Sequence, residues 1–354
     1  MTIEDLHLRN DTIVFSEEIF HLIGDFLFEP TSPINTKDSV PQTICCAKPK
    51  WSDIHGFVMV NSTLRKIGMA RWTRVLTVRT FEDWNQVLYY SHWVRELRCL
   101  DGAFAAPYST ILLQFQRLYT VSVDAHSDVI SDVAGRFAYC DLITALPGSV
   151  RRLEIQHAHG PDIKIIQLAE KHCPLLEELR LGRCTMFNRH PACPFWERFN
   201  FDHDAYMSLE GADEYAHSLA KELSPMKHLT VLQLGVYLIP STLVLIHRLF
   251  HVQDRPVPTH FGWQDALNAL AHETQGDTPA THLSILIALL HQPPENFSEN
   301  TCHLCWDITF QASINAEESA NLILQQGVPS LKRVAWMSWF SSGHLGLSYG
   351  PRSK

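Results

Sequence analysis

Apolar positions recur along this chain in a short signature. An aliphatic residue is followed by two polar residues and then by two apolar residues one position apart. It is clearest at Leu176, Leu179 and Leu181. In a strand, Leu179 and Leu181 share one face, and Leu176 enters from the preceding turn. The form returns at Val94, Leu97 and Cys99; at Leu118, Val121 and Val123; and at Val150, Leu153 and Ile155. Towards the C-terminus it recurs at Leu229, Leu232 and Leu234 and at Leu331, Val334 and Trp336. Successive central positions are 24 residues apart from Leu97 to Val121, then 32 to Leu153, 26 to Leu179, 53 to Leu232 and 102 to Val334. A period of roughly 20–29 residues marks a repeat whose units bury their apolar rows only by stacking. Two intervals fit, one is slightly long, and two are predicted to hold degenerate units or insertions. An ordinary α/β domain with several such strands is the simpler alternative.

Before and between these strands the period lengthens. Ile19, Leu22, Ile23, Phe26 and Leu27 fall at three- and four-residue steps behind Ser16, Glu17 and Glu18, so a capped helix is expected over residues 15–27. Gly24 weakens it by roughly 1 kcal/mol relative to Ala. Pro30, Pro33, Pro41 and Pro49 make residues 28–51 a loop or mobile insert. Asp53 can cap a second helix carrying Ile54, Phe57 and Val58. Asn61 or Ser62 can cap a third carrying Leu64 and Ile67. Residues 74–80 alternate like a strand. Trp84, Val87, Leu88 and Trp93 predict a helix or turn behind the Leu97 strand. Ile163, Ile166, Leu168 and Ala169 precede Cys173 and Pro174, so each unit reads helix, turn, strand. Further helices are expected over 215–223, 263–272, 282–291 and 316–326. Segments 185–212 and 251–315 read as insertions, and 341–354 as a tail that frays.

Composition narrows the class. The 354 residues are 45% hydrophobic and 19% charged, as in a soluble globular protein, with a net charge of −9 and no acidic block. That balance gives no support for a nucleic-acid partner, which needs a basic face. No apolar run approaches the roughly 20 residues of a membrane span, and Met1 to Leu6 lacks the basic, apolar start of a signal peptide. Nine cysteines at irregular spacing do not form a disulfide framework, so a reducing compartment, cytoplasm or nucleus, is expected.

Candidate chemistry is sparse. Cys302 and Cys305 have the spacing of two zinc ligands or a redox couple, but no second pair completes a metal site, and buried thiols are the simpler reading. Cys45 and Cys46 read as free thiols in a loop. The 20 histidines, among them His55, His92, His157 and His159, show no metal spacing on a shared helix face. No nucleophile elbow, P-loop or dinucleotide fingerprint is present. No catalytic residue, metal or cofactor is therefore expected, with a triad built from distant residues left as the enzymatic alternative. What remains is the sheet face opposite the buried pairs, lined by Glu96, Arg98, Arg152, Glu154, Glu178, Arg180 and Gln233, with Thr120, Ser122 and Val231. Mixed charges with arginine prominent suit a protein partner, and salt bridges along the face give the same pattern without one.

Two resemblances give these patterns a family. Residues 15–78 resemble an F-box, whose pattern runs L-P-x-E-I-x-x-x-I-F-x-x-L and then opens a second and a third helix. Here Phe15, Ser16, Glu18, Ile19, Ile23, Gly24 and Leu27 fill the first part, Asp53 and Ile54 the second, and Val60, Asn61 and Leu64 the third. The departures are Ser16 for proline, Gly24 for phenylalanine, Asn61 for cysteine and Leu64 for tryptophan. Residues 173–184, ending in Cys184, resemble the cysteine-containing leucine-rich repeat often joined to F-boxes. Together they imply an F-box-like helical module over 15–80, followed over 81–340 by an irregular leucine-rich-repeat solenoid. Its short parallel strands would carry helices on the convex side. The resemblance further implies a substrate-recognition subunit of a cullin-RING ubiquitin ligase that docks on a Skp-family adaptor and holds a protein substrate on its repeats. Docking would fall to Phe15, Ser16, Ile19, Ile23 and Leu27, with Ile54 and Val58 supporting the helix bundle. The alternative is a non-catalytic repeat scaffold whose helical region is only a cap.

Overall fold

A computed structural model describes residues 16–32, 43–104, 109–131, 133, 137–184, 195, 211–236, 238, 311–337 and 347–348. Three helices come first: α1 (Glu17–Leu27), α2 (Trp51–Met59) and α3 (Ser62–Trp72). Ser16 occupies the N-cap position of α1 without a side-chain cap bond, and Glu17 and Glu18 sit in the first turn. The second helix begins two residues before Asp53, which lies in its first turn rather than at the cap. Asn61 caps α3, accepting from the Leu64 N–H at 2.8 Å. Phe28, Ile54 and Val58 form a small core for the trio, with Leu27, Phe57, Met69 and Trp72 against it.

The remainder is built on a sheet whose order follows the chain. Strands β1 (Val75–Val78), β2 (Glu96–Cys99) and β3 (Thr120–Asp124) lie side by side. A two-stranded hairpin, β4 (Val129–Ser131) and β5 (Phe137–Tyr139), then leaves the sheet and accounts for the long interval before Leu153. β6 (Arg152–Ala158), β7 (Glu178–Arg183), β8 (Val231–Leu234) and β9 (Arg333–Met337) continue the sheet. All neighbours from β1 to β9 in the sheet are parallel. β10 (Leu347–Ser348) adds antiparallel to β9, so part of the expected tail is a sheet edge. β7 pairs directly with β8, and β8 with β9.

Parallel neighbours need a crossover, and these crossovers carry α4 (Trp84–Tyr89), α5 (Asp162–His172), α6 (Ala212–Leu223) and α7 (Gln311–Gly327). The register stacks Leu76, Leu97, Val121, Leu153, Leu179, Leu232 and Val334 in one row. Val78, Cys99, Val123, Ile155, Leu181, Leu234 and Trp336 form the next. From Leu97 to Val334 the first row is at most 1% exposed. Trp84, Val87, Ile166, Ala169, Leu219, Leu223 and Leu324 join these rows in one core, which places the helices on the aliphatic face of the sheet. Each row member contributes about 1.5–3 kcal/mol of burial, which no single strand could collect alone. No helix among the described residues is long and apolar enough to cross a membrane. Expectations on residues 1–15, 33–42, 185–194, 196–210, 239–310 and 349–354 lie outside the described residues, including the two central helices and the Cys302–Cys305 pair.

Candidate functional site

The first feature is the orientation of α1. Arg71, buried on α3, donates from Nε to Asp25 Oδ1 at 2.9 Å and from Nη2 to the His21 carbonyl at 3.0 Å. The Arg71 guanidinium holds the Asp25 carboxyl below its ordinary range. Gly24 lies on the same side, and a Cβ there would meet Arg71 Nε and Ile67 Cγ2 at 3.1 Å. The missing side chain is thus what lets the two helices approach. Ile19, Leu22, Ile23 and Phe26 are two residues out of phase with His21, Gly24 and Asp25, so they lie on the opposite side of the helix. They are exposed, Phe26 by 80% and Leu22 by 69%. An amphipathic surface helix ordinarily turns its apolar stripe inward. This one turns it out.

The sequence-predicted docking residues divide accordingly. Ser16, Ile19 and Ile23 are exposed, whereas Leu27 is half-buried against Phe28, Ile54 and Val58. Ile54 and Val58 are buried in the helical core, so they support the bundle and cannot touch a partner. Phe15 lies outside the described residues. Leu22 and Phe26, read from periodicity as part of the helix stripe, are the most exposed positions of the apolar face.

The second feature is the polar face of the sheet. Register puts Glu96 and Arg98, Thr120 and Ser122, Arg152 and Glu154, Glu178 and Arg180, and Val231 and Gln233 side by side on it, as the alternation predicts. These side chains do not form an open surface. Glu154, Glu178, Arg180 and Gln233 are buried, and Glu96, Arg98 and Arg152 are half-buried. Part of the cover is residues 43–46, from the proline-rich insert. Thr43 Oγ1 and the Ile44 N–H donate to Glu154 Oε2 at 3.0 and 3.2 Å. The Cys46 N–H donates to Glu96 Oε2 at 2.6 Å. Ile44 is fully buried. The Thr31 and Ala47 backbones bond each other in both directions, closing the base of the insert. The Cys45 and Cys46 thiols are free, as expected, and burial raises both, Cys46 to about 11. We call residues 43–46 the strap.

Under the strap the charges are paired. Arg152 Nε and Arg180 Nε each donate to Glu178 at 2.8 Å, Arg180 Nη1 lies 3.7 Å from Glu154, and Ser122 Oγ donates to Glu154 at 2.5 Å. Burial opposes ionisation of Glu178, but Arg180 and Arg152 outweigh it and hold that carboxyl low. At Glu154 burial wins and the carboxyl is raised, despite Ser122, Arg180, Thr43 and the Ile44 N–H. Arg98 Nε, Thr120 Oγ1 and Gln233 Oε1 are buried without a hydrogen-bond partner among the described residues. Such groups mark places where a polar ligand or water completes a network.

A third cluster, which the sequence reading missed, sits where β3, β6 and β7 end. His126, His159 and Cys184 follow these adjacent strands, and their ligand atoms lie within 4.8 Å of one another. Asp128 Oδ1 bonds His159 Nδ1 at 2.7 Å, while its Oδ2 accepts the His159 and Gly160 N–H groups. A bulge near the end of β6, with His157 at φ 54°, changes the register just before His159. A cavity of about 370 Å³ opens beside Asp128 and Gly160 between the hairpin and α5. Each residue lies one or two places past the end of its strand, and in the sequence Cys184 was marked only as the close of the repeat-like motif.

Compared with protein-family models, curated proteins and solved structures, the chain finds no match in any of the three.

Proposed function

We propose that this chain is a substrate-recognition subunit of a cullin-RING ubiquitin ligase, docking on a Skp-family adaptor through α1 and selecting a protein substrate with its sheet. The observation that carries this reading is the outward apolar stripe Ile19, Leu22, Ile23 and Phe26 on a helix anchored by Gly24, Asp25 and Arg71. An exposed apolar stripe on an anchored helix is the surface of a helix-in-groove contact. It coincides with the segment that resembles an F-box. In-register parallel strands in chain order, with helices on one face, support a leucine-rich-repeat-like solenoid behind that module.

On this reading the polar face is the substrate side, and the contacts of the strap support a substrate segment rich in hydrogen-bond donors. Residues 43–46 offer backbone N–H groups and a hydroxyl to Glu96 and Glu154. A substrate segment competing for those carboxylates must present the same donors. The protein performs no bond chemistry; it raises the effective concentration of substrate lysines near a charged ubiquitin carrier.

Affinity purification of the full chain from cells, with and without a cullin-RING inhibitor, tests the reading. The adaptor and cullin are expected in both samples, with ubiquitin-modifiable proteins enriched under inhibition. Recovery of partners without adaptor or cullin would leave the non-catalytic scaffold as the correct description.

A further inference from the structure

We propose that His126, His159 and Cys184 form a site for a borderline divalent d-block cation, with zinc the best fit, in which the two imidazoles and the thiolate are three ligands of a tetrahedron. The argument begins with the donor set. Two histidines and one cysteine favour zinc and its neighbours over magnesium or calcium, which take oxygen ligands. Zinc–nitrogen bonds of about 2.0–2.1 Å and zinc–sulfur bonds of about 2.3 Å put tetrahedral ligands roughly 3.3–3.6 Å apart. The three donor atoms already lie within 4.8 Å, so side-chain rotations of the order of 1 Å close the site.

The surroundings orient the His159 imidazole and leave a nitrogen of His126 open. Asp128 Oδ1 lies 2.7 Å from His159 Nδ1, which assigns ligation to Nε2. Asp101 Oδ2 lies 3.7 Å from His126 Nδ1, and His126 Nε2 is buried with no hydrogen-bond partner among the described residues. A carboxylate hydrogen-bonded behind a ligating histidine, as Asp128 is behind His159, fixes the tautomer and raises ligand basicity, whereas Asp101 is too far from His126 for a hydrogen bond and acts there only as a nearby charge. A buried imidazole nitrogen left unsatisfied costs about 1–3 kcal/mol, and a cation removes that cost. The two carboxylates also offset the cation's charge, which one thiolate alone would not neutralise. Rings of His126 and His159 meet edge to face with centroids 5.1 Å apart.

The test uses the full chain, purified under reducing conditions, stripped with chelator and re-equilibrated with zinc or cobalt(II). One metal per chain is expected by elemental analysis. Cobalt should give the intense ligand-field absorption of a tetrahedral site together with a thiolate-to-cobalt charge-transfer band. Cys184→Ser should abolish that band, while Cys140→Ser, at a neighbouring thiol, leaves it. His126→Ala, at a half-buried position, should reduce occupancy to background, with circular dichroism checking the fold. Asp128→Asn should weaken zinc by roughly 10–100-fold. No stoichiometric metal in the wild-type chain, or equal binding by folded His126→Ala, overturns the proposal.

Discussion

Glu154 is the residue on which the strap and the sheet meet, and replacing it has a consequence that can be worked out in advance. Its Oε2 accepts from Ser122, Thr43 and the Ile44 N–H, and its Oε1 faces Arg180. Glu154→Ala removes every acceptor at once and leaves the fully buried Ile44 N–H with nothing to bond. An unsatisfied buried donor costs about 1–3 kcal/mol, and breaking a buried ion pair by removing one partner costs about 3–5 kcal/mol. Because Glu178 still pairs with Arg180, a total near 3–4 kcal/mol is expected. Glu154→Gln is expected to be far milder, below about 1.5 kcal/mol. The amide keeps one acceptor, hydroxyls can reverse to accept from its N–H, and the burial that raises the carboxyl no longer acts. Urea unfolding gives the two energies, and amide exchange of residues 43–46 reports the strap directly. The alanine variant should exchange Ile44 and Cys46 much faster than the rest of the sheet. Unchanged exchange at Ile44 in Glu154→Ala, or equal losses in the two variants, would refute the reasoning.

Other outcomes follow from the same contacts. Leu179→Ala, in the middle of the fully buried row, should lower stability by about 2–5 kcal/mol in a denaturant titration. Gly24→Phe introduces the residue that the F-box pattern carries at this place, and it should destabilise by roughly 1–3 kcal/mol or more, since even a Cβ meets Arg71 and Ile67; a higher melting temperature would contradict the packing of α1 on α3. Lys48, over the Trp72 ring at 4.3 Å, has its ammonium pushed down to about 8 by burial. Between about pH 8 and 10.4 the unfolded chain therefore holds the proton that the folded chain has lost, and stability rises with pH. Lys48→Met should flatten that rise and add on the order of 2 kcal/mol below pH 8, seen in unfolding curves across the range.

What could be read in advance divides along the range of the interactions. The strand ladder was legible because the offsets at Leu97, Val121, Leu153, Leu179, Leu232 and Val334 are local patterns that burial enforces, and the register places those residues side by side. The same alternation assigned Glu154 and Arg180 to the opposite face. It could not show that residues from a proline-rich loop, 110 positions away from Glu154, would return to cover them. Periodicity also found the stripe of α1 but not its direction. That was decided by Gly24, where the absence of a side chain, rather than apolarity, marks the packed side. The histidine and cysteine cluster had no motif because each member comes from a different strand end. Only the register of three parallel strands, with a bulge after Ile155, brings them together.

The outward stripe of α1 is the feature that sets the proposed role apart from a scaffold, and calorimetric titration of the full chain with a Skp-family adaptor tests it most directly. Saturable one-to-one binding is expected for the wild type, and for Phe26→Asp, at a residue that is 80% exposed, a folded protein with affinity reduced at least tenfold. Absence of binding by the wild type, or equal affinity in the folded variant, would contradict the account.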